Sequence, residues 1–265
     1  MIFEFEFMRR AFFVGILLSV ILPCIGTIVV LKKLSLIGDA LSHTSLAGVA
    51  LGLVIGQSPV TISFILCIVA SLLVEIISSR MPDYADVSIA VISSLGIGIA
   101  GVLSGFIKNA GAFNAFLFGS IVAVSDSEIL LICITAAFVI LSFILLYKEL
   151  MYIAFDEEGA RISGVDVKLC NFIFTILTAL AVSISARTVG ALMVTSLIVL
   201  PVATGISVAR SYKSLVMISI AYALVEVVCG LTVSYFFAVK PGGTITIISV
   251  MFFAITALIK AIFRR

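Results

Sequence analysis

Long apolar runs, separated by short stretches that carry charges, glycine or proline, follow one another along almost the whole chain. A helix needs about 20 apolar residues to cross a bilayer, and nine runs come near that length. The pattern predicts spanning helices at 11–31, 35–56, 60–79, 86–107, 127–147, 169–186, 189–209, 214–237 and 244–262. Only Arg187 divides the sixth run from the seventh, and one broken segment there would make the count eight. We therefore predict an all-α polytopic transmembrane bundle of eight to nine spans.

Composition supports a membrane protein and leaves little chain for anything else. Apolar residues make up 63% of the chain and charged residues 11%, with a mean hydropathy of +1.37. Globular chains average about half apolar and about a quarter charged, so a water-soluble fold would not cover this much apolar surface. We expect one transmembrane domain over residues 1–265, surrounded by lipid. The net charge of +2, without a basic tail, argues against nucleic acid as a partner.

Lysine and arginine are distributed unevenly between the loops. If loop 148–168 is cytoplasmic and nine spans are present, the outer loops hold five of the 16 basic residues and the inner loops hold the other eleven. The outer five are Arg9, Arg10, Lys108, Arg187 and Lys240. The positive-inside rule then predicts an external N-terminus and a cytoplasmic C-terminus. With eight spans, the N-terminus would move inside.

The second run contains an acidic residue and the only histidine of the chain, in the order GDALSH. Asp39 and His43 are four residues apart and therefore share one face of a helix. Counted from Lys33 at the inner surface, they lie roughly 9 Å and roughly 15 Å deep. A carboxylate oxygen beside a neutral imidazole suits zinc, manganese or iron. A hydrogen-bonded pair that only locks two helices together is the structural alternative.

Glu226 lies near the middle of another predicted span. Charged groups at such depth are costly, so it is a candidate third metal ligand, a proton acceptor or a buried partner for a hydroxyl. The five cysteines lie singly in apolar runs without a C-x-x-C pair, which indicates membrane-core residues and not a thiolate site or disulfide.

Residues 155–167 form the one sizeable polar segment between predicted spans. Asp156, Glu157 and Glu158 suit the first turn of a helix, and Gly164 suits its end. The segment predicts a short helix at the cytoplasmic surface. Taken alone, it could be a simple connector.

Five sequence blocks, in this order, resemble the membrane permeases of ATP-binding-cassette importers for zinc, manganese and iron. The resemblance runs over nearly the whole chain. The blocks are GDALSHTSLAGVALG at 38–52, FLFGSIVAVS at 116–125, the polar segment at 155–167, VGALMVTSLIVLPVATG at 189–205 and Pro-Gly-Gly at 241–243.

The resemblance implies a homodimer of permease subunits in a bacterial or archaeal cytoplasmic membrane. Its expected partners are two cytoplasmic ATP-binding subunits and an extracytoplasmic metal-binding protein. The transported ion is cargo, and no permanently bound cofactor is implied. Asp39 and His43 would line the metal path. Segment 155–167 would contact the ATPase through Asp156, Glu157, Gly159, Ala160 and Gly164, with the small Gly159 and Ala160 at its apex.

Two features refine this expectation. Many relatives carry an acidic residue just before the Pro-Gly motif, whereas this chain has Phe-Ala-Val-Lys at 237–240 and so lacks a family ligand at that place. The chain also has no G-x-x-x-x-G-K-[ST] loop to cradle nucleotide phosphates, so it is expected to be a transport subunit and not itself an enzyme.

Two other classes compete with the importer. An ion-coupled secondary metal transporter would use Asp39 and Glu226 as coupling carboxylates and would usually show two inverted repeats. The sequence contains no second copy of GDALSH. An intramembrane enzyme would need H-E-x-x-H or a serine and histidine dyad, which a chain with one histidine and no such motif disfavours.

Overall fold

The computed structural model describes residues 4–81, 84–107, 110–119 and 126–263, and within these ranges the secondary structure is helical, with no strand. A π-helical turn, Ala186–Gly190, and a 3-10 turn, Ala191–Met193, separate the ninth and tenth of its α-helices. The α-helices are α1 Glu6–Leu31, α2 Ile37–Ile55, α3 Pro59–Arg80, α4 Ala85–Ser104, α5 Ala110–Phe118, α6 Asp126–Leu145, α7 Tyr147–Phe155, α8 Glu157–Ile162, α9 Val167–Ser185, α10 Val194–Val208, α11 Tyr212–Phe237 and α12 Pro241–Phe263.

Eight of the described segments are long and apolar enough to cross a membrane. They coincide with eight of the nine predicted spans and confirm the all-α, polytopic bundle. The remaining predicted span, 189–209, corresponds to α10, which has only 15 residues. The chain reverses before it at Gly190, whose φ of 109° suits a residue without a Cβ atom.

One face of the bundle is marked by ion pairs at the start of α6. Arg187 donates from Nε to Glu128 Oε1 at 2.8 Å, and an Arg10 nitrogen lies 2.8 Å from Asp126 Oδ1. The start of α1, the start of α6 and the π-helical turn after α9 therefore share this face.

The opposite face holds the ends of α1 and α6 and the start of α11. Lys32, at the end of α1, lies 3.7 Å from Glu157 of α8. The rings of Tyr147, just after α6, and Tyr212, just after α10, are 5.1 Å apart. Since α10 follows a turn at the first face and ends beside Tyr212 at the second, it crosses the bundle as a short ninth segment. This geometry agrees with termini on opposite sides, as the nine-span topology predicts.

Helices α1, α2 and α9 are the most buried of the described spanning helices, whereas α12 is largely exposed at the periphery. Two glycines of α2 allow α3 to approach closely: a Cβ atom on Gly48 would lie 2.5 Å from Ser63 Cα, and one on Gly52 would lie 2.7 Å from Pro59 Cα. Small residues four apart on a spanning helix typically allow such close packing of two backbones. Gly101, which shares that spacing in α4, faces open space instead.

Candidate metal-transport site

The acidic residue and the histidine of α2 lie side by side, one turn apart. His43 Nε2 is 3.4 Å from Asp39 Oδ2, as their spacing of four residues requires. The histidine side chain is 18% exposed and the aspartate side chain 46% exposed at the surface of a single subunit. The pair thus presents one nitrogen and one carboxylate to the outside of the subunit, within the first half of a spanning helix.

Buried hydroxyl groups join α2 to two neighbouring helices close to this pair. Ser45 and Ser63 share a hydrogen bond of 2.7 Å, and Ser63 and Ser183 share one of 3.1 Å. One helical turn earlier on α2, the Leu41 carbonyl accepts a hydrogen bond from the Cys67 thiol of α3 at 3.3 Å. Because these contacts connect α2 with α3 and α9, they fix the depth and rotation of the helix that carries the pair.

Helix α4 packs directly on the α2 backbone at the histidine. A Cβ atom on Gly96 would lie 2.8 Å from the Thr44 nitrogen and 2.9 Å from the His43 carbonyl carbon. Sequence analysis did not single out this glycine. The small residues of α4 signal a helix contact, but they do not identify the helix that approaches or the residue that it reaches.

Glu226 occupies a different part of the bundle. Its side chain is fully buried on α11, and Ser249 of α12 donates its hydroxyl to Glu226 Oε2 at 2.6 Å. Among the described residues, no three His, Cys, Asp or Glu side chains are grouped so as to hold a metal ion. Glu226 therefore does not join Asp39 and His43 in a three-ligand cluster within one subunit. Of the three roles considered for it, the structure provides the buried partner for a hydroxyl.

The polar segment between α7 and α9 forms the short helix that its sequence predicts. Asp156 caps α8 by accepting from the Gly159 backbone nitrogen at 2.9 Å, and Gly164, with φ of 87°, follows its end. Glu157 lies 3.6 Å from Arg161 one turn later.

One of the two small residues of α8, Ala160, faces the permease and not its surroundings, contrary to its expected place at the apex, whereas Gly159 is partly exposed. Ala160 is fully buried against Ile153, Val167 and Cys170. A Cβ atom on Gly159 would lie 2.2 Å from Asp156 Oδ2. The outward apolar group is Ile162, which is 87% exposed. Ala160 and Ile162 therefore lie on different sides of this short helix.

The short apolar piece after α4 is α5, whose nine residues are too few to cross a membrane. It packs against the turn between α9 and α10, where the Arg187 guanidinium lies 4.6 Å from the centre of the Phe116 ring. Most of the remaining part of the FLFGSIVAVS block, residues 120–125, lies outside the described residues.

Known proteins share both this sequence and this fold. The family model described as "ABC 3 transport family" matches residues 4–260. A probable metal transport system membrane protein of Treponema pallidum is 32% identical over 94% of this chain and 93% of its own length. The membrane protein ZnuB of the high-affinity zinc uptake system of Haemophilus influenzae is 30% identical over 95% of this chain and 97% of its own. The solved structure of PsaBC from Streptococcus pneumoniae in complex with Fab has a TM-score of 0.85 and 27% identity, covering 96% of this chain and 92% of the matched one.

The family match over residues 4–260 and the metal-transport membrane proteins among the relatives identify the chain as a membrane permease of the ATP-binding-cassette type. The chain belongs to the ABC 3 transport family. It is a transport subunit and not an enzyme, and ATP hydrolysis takes place in a separate subunit. These findings confirm the predicted family and class.

The contact between α4 and His43 predicts different effects for two glycines of the same helix. Gly96→Ala should push α4 away from the α2 backbone and lower the free energy of unfolding by about 1–3 kcal/mol, the usual cost of overpacking. Gly98→Ala is the matched control, because a Cβ atom there meets nothing within 4 Å. Thermal unfolding of both variants in detergent tests this: Gly98→Ala should match the wild type, and equal stability of the two variants would contradict the contact.

Proposed function

We propose that this chain is the membrane-spanning permease subunit of an ATP-driven importer for a divalent transition metal, namely zinc, manganese or iron. The observation that carries the proposal is the Asp39 and His43 pair, with 3.4 Å between the nearest oxygen and nitrogen, on a spanning helix. An extracytoplasmic binding protein would deliver the ion, and the subunit would lie in the cytoplasmic membrane of a bacterium or archaeon.

The exposure of the pair supports a second copy of the chain as its partner. An aspartate inside a bilayer costs about 2.5–3.5 kcal/mol on insertion scales, so such residues usually face protein or a water-filled cavity. Asp39 is nearly half exposed on the isolated subunit. In a two-fold homodimer, the same helix face from both copies would cover the pair and form one path between them.

A dimer would also complete the coordination. One subunit offers one carboxylate and one imidazole, which is too few for the four ligands that zinc usually takes. Two copies would supply two carboxylates and two imidazoles. Carboxylate is a hard ligand and imidazole a borderline one. Such a donor set suits zinc, manganese or iron and disfavours copper(I), which prefers soft sulfur ligands.

Helix α8 is the surface through which we propose that the ATPase acts. It lies on the face that the basic residues predict to be cytoplasmic. The exposed side chains of Phe155, at the end of α7, and Ile162, at the end of α8, flank it. Exposed apolar side chains beside charged ones are typical of a contact with another subunit. We propose Asp156, Glu157, Gly159, Ala160 and Gly164 as the residues that shape α8, and Phe155 and Ile162 as its outward contacts.

Removing either member of the polar pair should stop metal uptake without loss of the protein. In His43→Ala the imidazole ligand is lost, and in Asp39→Asn the shape remains but the negative charge is lost. Uptake of zinc and manganese by cells or proteoliposomes should fall to background in both, at normal abundance in the membrane. Thr44→Val is the control, since the Thr44 hydroxyl bonds only the Ala40 carbonyl of its own helix at 2.9 Å. Normal uptake in His43→Ala would end the ligand hypothesis.

The two sides of α8 should respond differently to substitution. Ile162→Asp places a charge on the outward side and should reduce co-purification with the ATPase by at least about tenfold, as expected for the loss of a buried apolar contact at an interface. Ile162→Leu should retain the partner. Ala160→Arg instead forces a charge into the contact with α7 and α9 and should lower the thermal stability of the permease itself. If Ile162→Asp still retains the ATPase fully, α8 is only a connector.

A further inference from the structure

Lys32 stands at the junction between α1 and α2, in a turn with little freedom. The Lys32, Lys33 and Leu34 backbone nitrogens donate back to carbonyls of the last two turns of α1, at 2.9, 3.1 and 2.9 Å. The Asp39 nitrogen then donates to the Leu36 carbonyl at 3.1 Å. These bonds hold the chain between α1 and α2 in a hydrogen-bonded turn, so Lys32 lies directly before the helix that bears Asp39 and His43.

The side chain of Lys32 reaches away from this turn towards two other helices. It is only 15% exposed, its Nζ donates to Asn171 Oδ1 of α9 at 2.9 Å, and it lies 3.7 Å from Glu157 Oε2 at the start of α8. One side chain thus connects the α1–α2 turn, the first turn of α8 and α9.

An open cavity of about 640 Å³, lined mostly by charged and polar residues, lies around this side chain. Lys32, Glu75, Glu157, Arg161 and Asn171 are among its lining residues. The buried apolar contact of α8 is made by Ala160 with α7 and α9, and not with α2. Across this open space, the Lys32 side chain contacts Glu157 and thereby connects α8 with the turn that precedes α2.

We infer that Lys32 is a positioning residue that couples movement of α8 to movement of α2. The inference rests on the proposed function, in which α8 receives the motion of the ATPase and α2 carries the metal ligands. Lys32 touches neither the ion nor the ATPase in this account. The Glu157 side of this ion pair is 42% exposed and the two groups are 3.7 Å apart, so the pair contributes little to stability. Its loss should leave the fold intact while weakening the link between hydrolysis and transport.

The test uses the complete importer in proteoliposomes, with its own ATPase and binding protein and with whichever of zinc and manganese the wild type transports. Lys32→Met removes the charge and keeps most of the apolar stem. We expect normal co-purification with the ATPase, hydrolysis close to wild type, and at least about a fivefold fall in ions moved per ATP, in line with typical coupling between sites. Lys33→Asn is the control, because Lys33 is an exposed neighbouring lysine with φ of 60°, a conformation that asparagine adopts readily.

A double-mutant cycle tests the proposed partner. Glu157→Gln should lower the same ratio, and Lys32→Met combined with Glu157→Gln should be no worse than the more severe single variant, because both remove one connection. An unchanged ratio in Lys32→Met, an equal fall of uptake and hydrolysis, or fully additive effects would each overturn the role of Lys32. If the role of Lys32 is overturned, the proposed function still stands provided that Ile162→Asp fails to co-purify with the ATPase. A wild-type complex that transports neither zinc nor manganese would count against the proposed function itself.

Discussion

The close packing of α2 within the bundle is the constraint on which the rest of the structure depends. A spanning helix that carries Asp39 and His43 cannot turn these groups towards lipid without a large cost. Glycines on α2 and α4 bring the neighbouring backbones into contact with it, and the chain of three serine hydroxyls joins it to α3 and α9. The pair is thereby held at one depth and one orientation, with its open side on a surface that a second subunit can cover.

Local patterns along the chain were sufficient for much of this architecture. Apolar run length predicted eight helices that the structure confirms, because the hydrocarbon thickness of a bilayer limits how short a spanning helix can be. The spacing of Asp39 and His43 and the cap by Asp156 also depend only on residues within one turn of each other. Such features follow from helix geometry alone, so a sequence without relatives would have revealed them.

Contacts between distant parts of the chain were not predictable in the same way. Lys32 and Asn171 are 139 residues apart, and in the sequence Lys32 looks like any basic residue at the end of a span. Which side of α8 faces outward depended on the packing of α7 and α9, so Ala160 was wrongly placed at an exposed apex. The hydrogen bond between Ser249 and Glu226 was likewise not predictable, because the sequence around a serine in an apolar helix does not indicate which residue of another helix it contacts.

The central claim is that two copies of the Asp39 and His43 pair form one metal site. Its most direct test is the zinc content of the purified permease and ATPase complex, measured together with X-ray absorption of the bound ion. The account predicts one zinc per two permease chains, with both imidazoles and both carboxylates in a four-coordinate shell. One zinc per single chain, or a shell without imidazole nitrogen, would contradict it.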